Sequence, residues 1–281
     1  MRKLPIPTII AVDILRLCSL SIRDETLKVN LRLIEGEVDN AEVEYRERAI
    51  AEELYLIKAN ENIGGDFTGK QMERVYNNTF VKSKKTRFIY DQLKKVCEND
   101  ICPLCGQGTV YQLDHYLPIS CFPIYGVSPI NLIPACADCN KRKSIYVADA
   151  ANKQTLHPYF DDIDNERWLY ASVIEIQPPA LQFYIEPPAH WGDVISERIL
   201  AHFKAFGLAA LYATHAAVEI TNIRYSLQRI AVGENSAKNV RDHLIDKAES
   251  CMHARLNSWQ TATYDALEKS DWFCNGGFNI T

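Results

Sequence analysis

Residues 102–143 read CPLCGQGTVYQLDHYLPISCFPIYGVSPINLIPACADCNKRK, and this stretch decides how the rest of the chain is organised. Cys102 and Cys105 make one C-x-x-C turn, Cys136 and Cys139 a second, with thirty residues between them. A zinc ion takes four thiolates in a tetrahedron, and each C-x-x-C turn delivers two sulfurs to one side of it. Two such turns fill every position and leave none for water, so the spacing predicts a structural zinc, not a catalytic one. The alternative is reactive or disulfide-forming thiols; paired knuckles in a chain without a secretory signal favour metal. The other five cysteines, Cys18, Cys97, Cys121, Cys251 and Cys274, lack this pairing and are read as plain thiols.

Between the knuckles, Val110 to Asp114 alternates as a short strand and ends in the pair Asp114-His115. Asn131-Leu132 follows, and Asn140 stands directly after Cys139, with Lys141, Arg142 and Lys143 behind it. In the order C-x-x-C, D-H, N-L, C-x-x-C-N-x-x-K, these residues resemble the HNH endonuclease family. The resemblance implies a ββα-metal fold, a β-hairpin packed on a helix and braced here by a four-cysteine zinc. Position by position, it makes His115 the general base and Asp114 a metal ligand. Asn131 becomes the residue that fixes the loop and holds the histidine ring. Asn140 stands where the family's name has histidine and becomes the second metal ligand. An Asp-Asn pair offers only oxygen, which favours Mg²⁺ or Mn²⁺ at this second site. The family implies DNA as substrate, with 5′-phosphate and 3′-hydroxyl products. It also implies a restriction-like or antiphage role, sometimes beside an ATPase or another defence-system protein.

The chemistry fits without the name. Hydrolysis of a phosphodiester needs an activated water, and a neutral imidazole takes that proton near pH 7. A divalent ion at Asp114 and Asn140 would stabilise charge growing on the phosphate oxygens. Lys141, Arg142 and Lys143 are expected at the start of the helix after the knuckle, where side chains and backbone N–H groups can both meet phosphate. Upstream, Lys82, Lys84, Lys85 and Arg87, then Lys94 and Lys95, form a basic run that could track a DNA backbone or simply be a solvated face. Downstream, Leu156-His157-Pro158-Tyr159-Phe160-Asp161-Asp162 resembles a run found after the nuclease core in bacterial stand-alone HNH proteins; read from its residues, it is an exposed turn with capping aspartates.

The whole chain has 281 residues, 47% of them hydrophobic, with 31 basic and 36 acidic side chains and a formal charge of −5. That excludes disorder throughout and also a polycation that coats nucleic acid wholesale. The charge is uneven: residues 35–66 hold ten acids against three bases, residues 67–100 eight bases against four acids. Arg2 and Lys3 precede an apolar run, but Asp13 and Arg16 interrupt it, so the chain is expected to be cytoplasmic, with no membrane partner. Gly64, Gly69 and Lys70 mimic a phosphate loop, yet Gln71 replaces the hydroxyl that would ligand Mg²⁺.

Val43, Ile50, Leu54 and Ile57 predict an amphipathic helix over 39–58, capped by Asp39 or Asn40. Another helix is expected over 88–96. Alternation over 168–176 and 181–186, split by Pro178 and Pro179, predicts a β-hairpin. Beyond Val194 the period is helical, with Ile199, Phe203, Phe206, Leu208, Leu211, Val240, Leu244 and Ala248 as core and the run Leu208 to Val218 read as core more than as a dimer surface. The fold expected is α+β: a mainly helical chain with a central zinc-braced ββα-metal module and a short β-hairpin. Its regions are 1–96, helical; 97–150, the zinc-bound nuclease module; and 151–281, hairpin plus helices. Two functions compete: a metal-dependent DNA endonuclease, and a non-catalytic zinc-ribbon module that binds nucleic acid or protein. RNA is a further candidate substrate. Oligomeric state is not legible.

Overall fold

In the computed structural model, residues 1–279 are described, and the chain is α+β and mainly helical. It divides into two units, Met1–Asp162 and Ile163–Thr281. The helical residues 1–96 and the cysteine segment 97–150 lie together in the first unit, which also takes in residues 151–162.

The first unit opens with α1 (Ala11–Ser19), α2 (Glu25–Leu33) and α3 (Glu35–Ile50). α3 starts earlier than the expected cap at Asp39 or Asn40 and stops sooner, because the chain turns at Glu52, where φ is 60°. Its buried face is Val38, Ala41, Glu42, Tyr45 and Ala49, while Val43 is 54% and Ile50 69% exposed. The expected stripe needed a helix running on to 58. Glu42 is held inside by work: Oε2 accepts from the Ala11 amide at 2.8 Å, capping α1, and Oε1 accepts from Ser128 Oγ at 2.6 Å. Burial raises the pKa of this carboxyl despite those two bonds.

A small hairpin follows, β1 (Asn62–Gly64) with β2 (Phe67–Thr68), and then α4 (Gly69–Val75). The phosphate-loop mimic resolves here into local structure. Thr68 and Gln71 form a capping box, so Gln71 serves the helix start in place of an ion. α4 runs into a π-helical turn, Tyr76–Phe80, and α5 (Arg87–Lys94) matches the second expected helix. Met72, Val75, Phe80, Ile89 and Leu93 join Leu15, Leu31 and Phe67 in one apolar core that reaches Leu113 and Leu132 of the next hairpin. That hairpin is β3 (Gln112–His115) with β4 (Leu132–Ala135), antiparallel, pairing Asp114 with Ile133 and His115 with Leu132. α6 (Ala137–Lys143) completes a strand–strand–helix unit.

The second unit begins with the expected hairpin, β5 (Leu169–Ile174) and β6 (Ala180–Ile185), in register from Leu169↔Ile185 to Ile174↔Ala180. α7 (Asp193–Ala205), α8 (Leu208–Ile230), α9 (Ser236–Ala254) and α10 (Trp259–Lys269) follow. α10 is the centre: it packs on β5 and against α9, and Thr261 to Leu267 are all buried. Ser258 caps it, its Oγ accepting from the Thr261 amide at 3.0 Å. Leu208, Tyr212 and Ala216 face inward, so the start of α8 is core, while Val218 is exposed. Among the described residues, no helix is long and apolar enough to cross a membrane.

Candidate metal centre

Each C-x-x-C turn folds around its own sulfurs. The Gly108 amide donates to Cys105 Sγ at 3.2 Å and the Cys139 amide to Cys136 Sγ at 3.4 Å, the second of these capping α6. The four buried sulfurs of Cys102, Cys105, Cys136 and Cys139 lie within 4.8 Å of one another. Cys105 and Cys136 are 3.9 Å apart, close to the edge of about 3.8 Å that a tetrahedron with Zn–S bonds near 2.3 Å requires. Four thiols so placed could hold a zinc ion, and they form a closed set of four. The four thiols share their protons: contacts led by Cys102 pull Cys105 and Cys136 down and push Cys139 up, and contact with Cys105 raises Cys102. Gly108 is needed at this spot: a Cβ there would lie 2.8 Å from Cys136 Sγ. The remaining five cysteines are free, with Cys18, Cys97 and Cys274 buried and Cys121 and Cys251 half-buried.

β3 presents Asp114 and His115 to opposite sides, as adjacent strand residues must be. Both are 8% exposed. His115 Nε2 is 2.9 Å from the Gly126 carbonyl oxygen, and its ring meets the edge of Tyr76 with centroids 4.5 Å apart. A carbonyl can only accept, so Nε2 carries the ring proton and Nδ1 keeps its lone pair. Burial pushes the ring's pKa down to about 4, partly offset by the Gly126 bond, so the neutral, base-competent form persists well below pH 7.

Asp114 faces α6. Its Oδ2 is 3.4 Å from Lys143 Nζ, an ion pair, yet among the described residues it accepts no well-formed hydrogen bond. Burial pushes this carboxyl up to about 6 even though Lys143 pulls the other way. A buried carboxylate oxygen is the kind of ligand a hard divalent cation takes, and here the Lys143 ammonium occupies that side of it. Lys143, whose side chain is only 4% exposed, donates to the His115 carbonyl oxygen at 2.6 Å. Burial lowers its own pKa. α6 begins at Ala137, so Lys141, Arg142 and Lys143 fill its last turn and not its start. Lys141 and Arg142 are exposed, whereas Lys143 is turned inward and in this conformation offers phosphate no contact. Asn140, half-buried, stands three residues before Lys143 and so shares its helix face.

Asn131 is fully buried and uses both ends of its amide. Its Oδ1 accepts from the Leu117 amide at 2.7 Å, and Nδ2 donates to the carbonyl oxygens of Leu117 at 3.1 Å and Tyr125 at 3.3 Å. It thereby clamps both ends of the loop whose Gly126 carbonyl holds His115. Of the basic run, Lys84 is exposed, Lys85 Nζ donates to the Leu20 carbonyl oxygen at 2.9 Å, and Arg87 is paired with Asp91 at 3.0 Å. The run Leu156 to Asp161 is not the exposed turn expected: His157, Tyr159 and Asp161 are buried, and Tyr159 Oη donates to the Leu132 carbonyl oxygen at 3.0 Å. The sequence reading missed Tyr76, Gly126 and the inward turn of Lys143. Only the last had a signal, since a residue three after Asn140 must share its face.

The class of protein these residues define is a four-cysteine module able to bind zinc, with a buried Asp-His pair on the strand between its knuckles. The chain is similar to protein ea31 of Escherichia phage lambda, at 29% identity over 297 residues covering 98% of this chain and 100% of that protein. The likeness therefore takes in both units and not the cysteine module alone. No family profile matches the chain, and neither does any solved structure.

Proposed function

We propose that the chain is a metal-dependent endonuclease that hydrolyses DNA phosphodiester bonds, with His115 as general base. The observation that carries this reading is the buried pair itself: an imidazole whose proton is fixed on Nε2 and, one residue before it on the same strand, a carboxylate oxygen without a well-formed hydrogen bond. Nδ1 of His115 takes a proton from water, and the Gly126 carbonyl steadies the charge that then develops on the ring. A divalent ion held by Asp114 with Asn140 supplies electrostatic stabilisation of the phosphate oxygens. Asn131 keeps the loop in register, and the exposed Lys141 and Arg142 meet the backbone of the substrate. Lys84, Lys85 and Arg87 add a second, sequence-blind contact, although two of them must give up internal partners to make it.

One observation favours the competing reading, a zinc module without catalysis: Lys143 already sits beside Asp114 as a structural partner would. The deciding experiment is nicking of supercoiled plasmid under Mg²⁺ or Mn²⁺ by the wild type and by His115→Ala, with labelled RNA in parallel. Loss of cutting by at least about 100-fold in the variant, with zinc content unchanged, is the expected result. No cutting by either protein would leave the non-catalytic module standing, equal cutting by both would take the role of base away from His115, and cutting of RNA alone would change the substrate.

A further inference from the structure

Tyr45, on α3, lies outside the cysteine segment and is fully buried. Its hydroxyl donates to Asn131 Oδ1 at 3.2 Å and lies 3.0 Å from His157 Nε2. The proton positions along this chain are fixed from both ends. The Tyr159 amide, which can only donate, points at His157 Nδ1 at 3.2 Å, so the proton of that ring is on Nε2. Nε2 therefore donates to the Tyr45 oxygen, and the Tyr45 O–H donates to Asn131 Oδ1. At the other end, the Leu117 amide fixes which atom of Asn131 is the oxygen. Asn131 Nδ2 then holds the Tyr125 carbonyl, and the next carbonyl along, Gly126, receives His115 Nε2. His157 is anchored in turn, its own amide donating to Asp161 Oδ2 at 2.6 Å.

We infer that Tyr45, backed by His157, is a positioning residue for His115: through Asn131 and the 125–126 peptides it sets the orientation and tautomer of that ring. The inference rests on the reading of His115 as the general base. A hydroxyl from α3 and an imidazole from beyond the cysteine segment thus complete a loop that the module alone leaves held by Asn131. Such a chain is directional, because each of its hydrogen bonds has an assigned donor and acceptor; removing the Tyr45 oxygen takes away one of the two donors to Asn131 Oδ1, leaves the amide held by Leu117 and Tyr125 alone, and keeps the aromatic packing in place.

The test is Tyr45→Phe in the full chain, with zinc content and folding checked first. Long-range ¹H–¹⁵N spectra of protein labelled with ¹⁵N-histidine report which ring nitrogen carries the proton, and His115→Ala identifies the His115 signals. The wild type is expected to show His115 in the single Nε2–H form and Tyr45→Phe a mixture, with kcat for plasmid cutting down about 10- to 100-fold and KM unchanged. His157→Leu should repeat both effects and serves if Tyr45→Phe does not fold. His157→Gln, which can both donate and accept, should restore most of the rate. A wild-type tautomer and kcat in folded Tyr45→Phe, with only the melting temperature lowered, would overturn the inference. If the wild type cuts no DNA but the tautomer still changes, the positioning stands and the nuclease reading falls.

Discussion

The segment from Cys97 to Ala150 and the unit from Ile163 onward offset the entropy of folding by opposite means. The first has two four-residue strands and a seven-residue helix, and its order converges on four sulfurs and a few buried polar bonds. The second packs β5, α8 and α9 against α10, with Trp168, Leu208, Leu244, Leu267 and Phe273 almost wholly buried. A metal concentrates binding energy in one point, of order 10 kcal/mol in small zinc modules, whereas apolar burial spreads it over many side chains. One region should therefore fail all at once when a single atom is removed, and the other should fail by degrees.

The most severe way to break this comparison is to strip the four-cysteine site of the zinc that it could hold. A strong chelator at pH 7, or Cys136→Ser, is expected to cost the first unit about 10 kcal/mol and to melt the cysteine segment. The second unit should stay folded. All four tryptophans, Trp168, Trp191, Trp259 and Trp272, lie in that second unit, so their fluorescence follows it alone. Loss of amide protection in β3 and β4 without change in tryptophan emission is the predicted result; a parallel collapse of both signals would show that the two units do not fold separately.

The mirror experiment is smaller. Leu244→Ala, at a fully buried position of α9, should destabilise the second unit by about 2–5 kcal/mol, visible as an earlier urea midpoint in tryptophan fluorescence. Zinc stoichiometry and plasmid cutting at low temperature should be those of the wild type. Retained fluorescence midpoints would mean that α9 contributes little to the core it appears in.

These two modes of stabilisation also explain what could be read from sequence. Ligand spacing is local and discrete, so the double knuckle, the Asp114-His115 strand end and Asn140 stood out. The Leu169–Ile185 hairpin was equally plain, because strict alternation meets a proline turn there. α3 was misread, since its inward face uses Glu42 and Tyr45, polar residues whose partners Ala11, Ser128, Asn131 and His157 are far away in the chain. A hydrophobic stripe through Val43 and Ile50 was the better pattern, and long-range hydrogen bonds overrode it. Lys143 is a base on a basic run that the partner Asp114 draws inward, and its one trace in the sequence is its place three residues after Asn140. Apolar periodicity and ligand spacing are written along the sequence; polar groups buried by a distant partner are not.

The finest probe of the difference is pH. In the second unit, burial raises the pKa of Asp265, but bonds from Arg167 and Lys269 outweigh it and hold the carboxyl below its ordinary range. Its contribution is present at neutral pH and is lost as pH falls through that lowered value. In the first unit, two adjacent groups shift in opposite senses. His115 is neutral in the fold down to about 4, against 6.5 when unfolded, so its contribution is present above 6.5 and lost as pH falls towards 4. Asp114 stays protonated in the fold up to about 6, against 3.8, so its contribution is present below 3.8 and lost as pH rises through 6. Each amounts to about 3 kcal/mol at 1.36 kcal/mol per unit, and between about pH 4 and 6 the two slopes cancel. Without divalent ions, His115→Gln should therefore make the first unit lose stability, relative to the wild type, as pH rises from 4 to 6. Asp114→Asn should make it gain. The acid sensitivity of the thiolates is common to all three proteins, so the differences between their urea midpoints, read from the Leu113 and Leu132 amide signals, isolate the pair. Parallel pH profiles for the three would show that Asp114 and His115 are not the buried, oppositely perturbed couple on which the site depends.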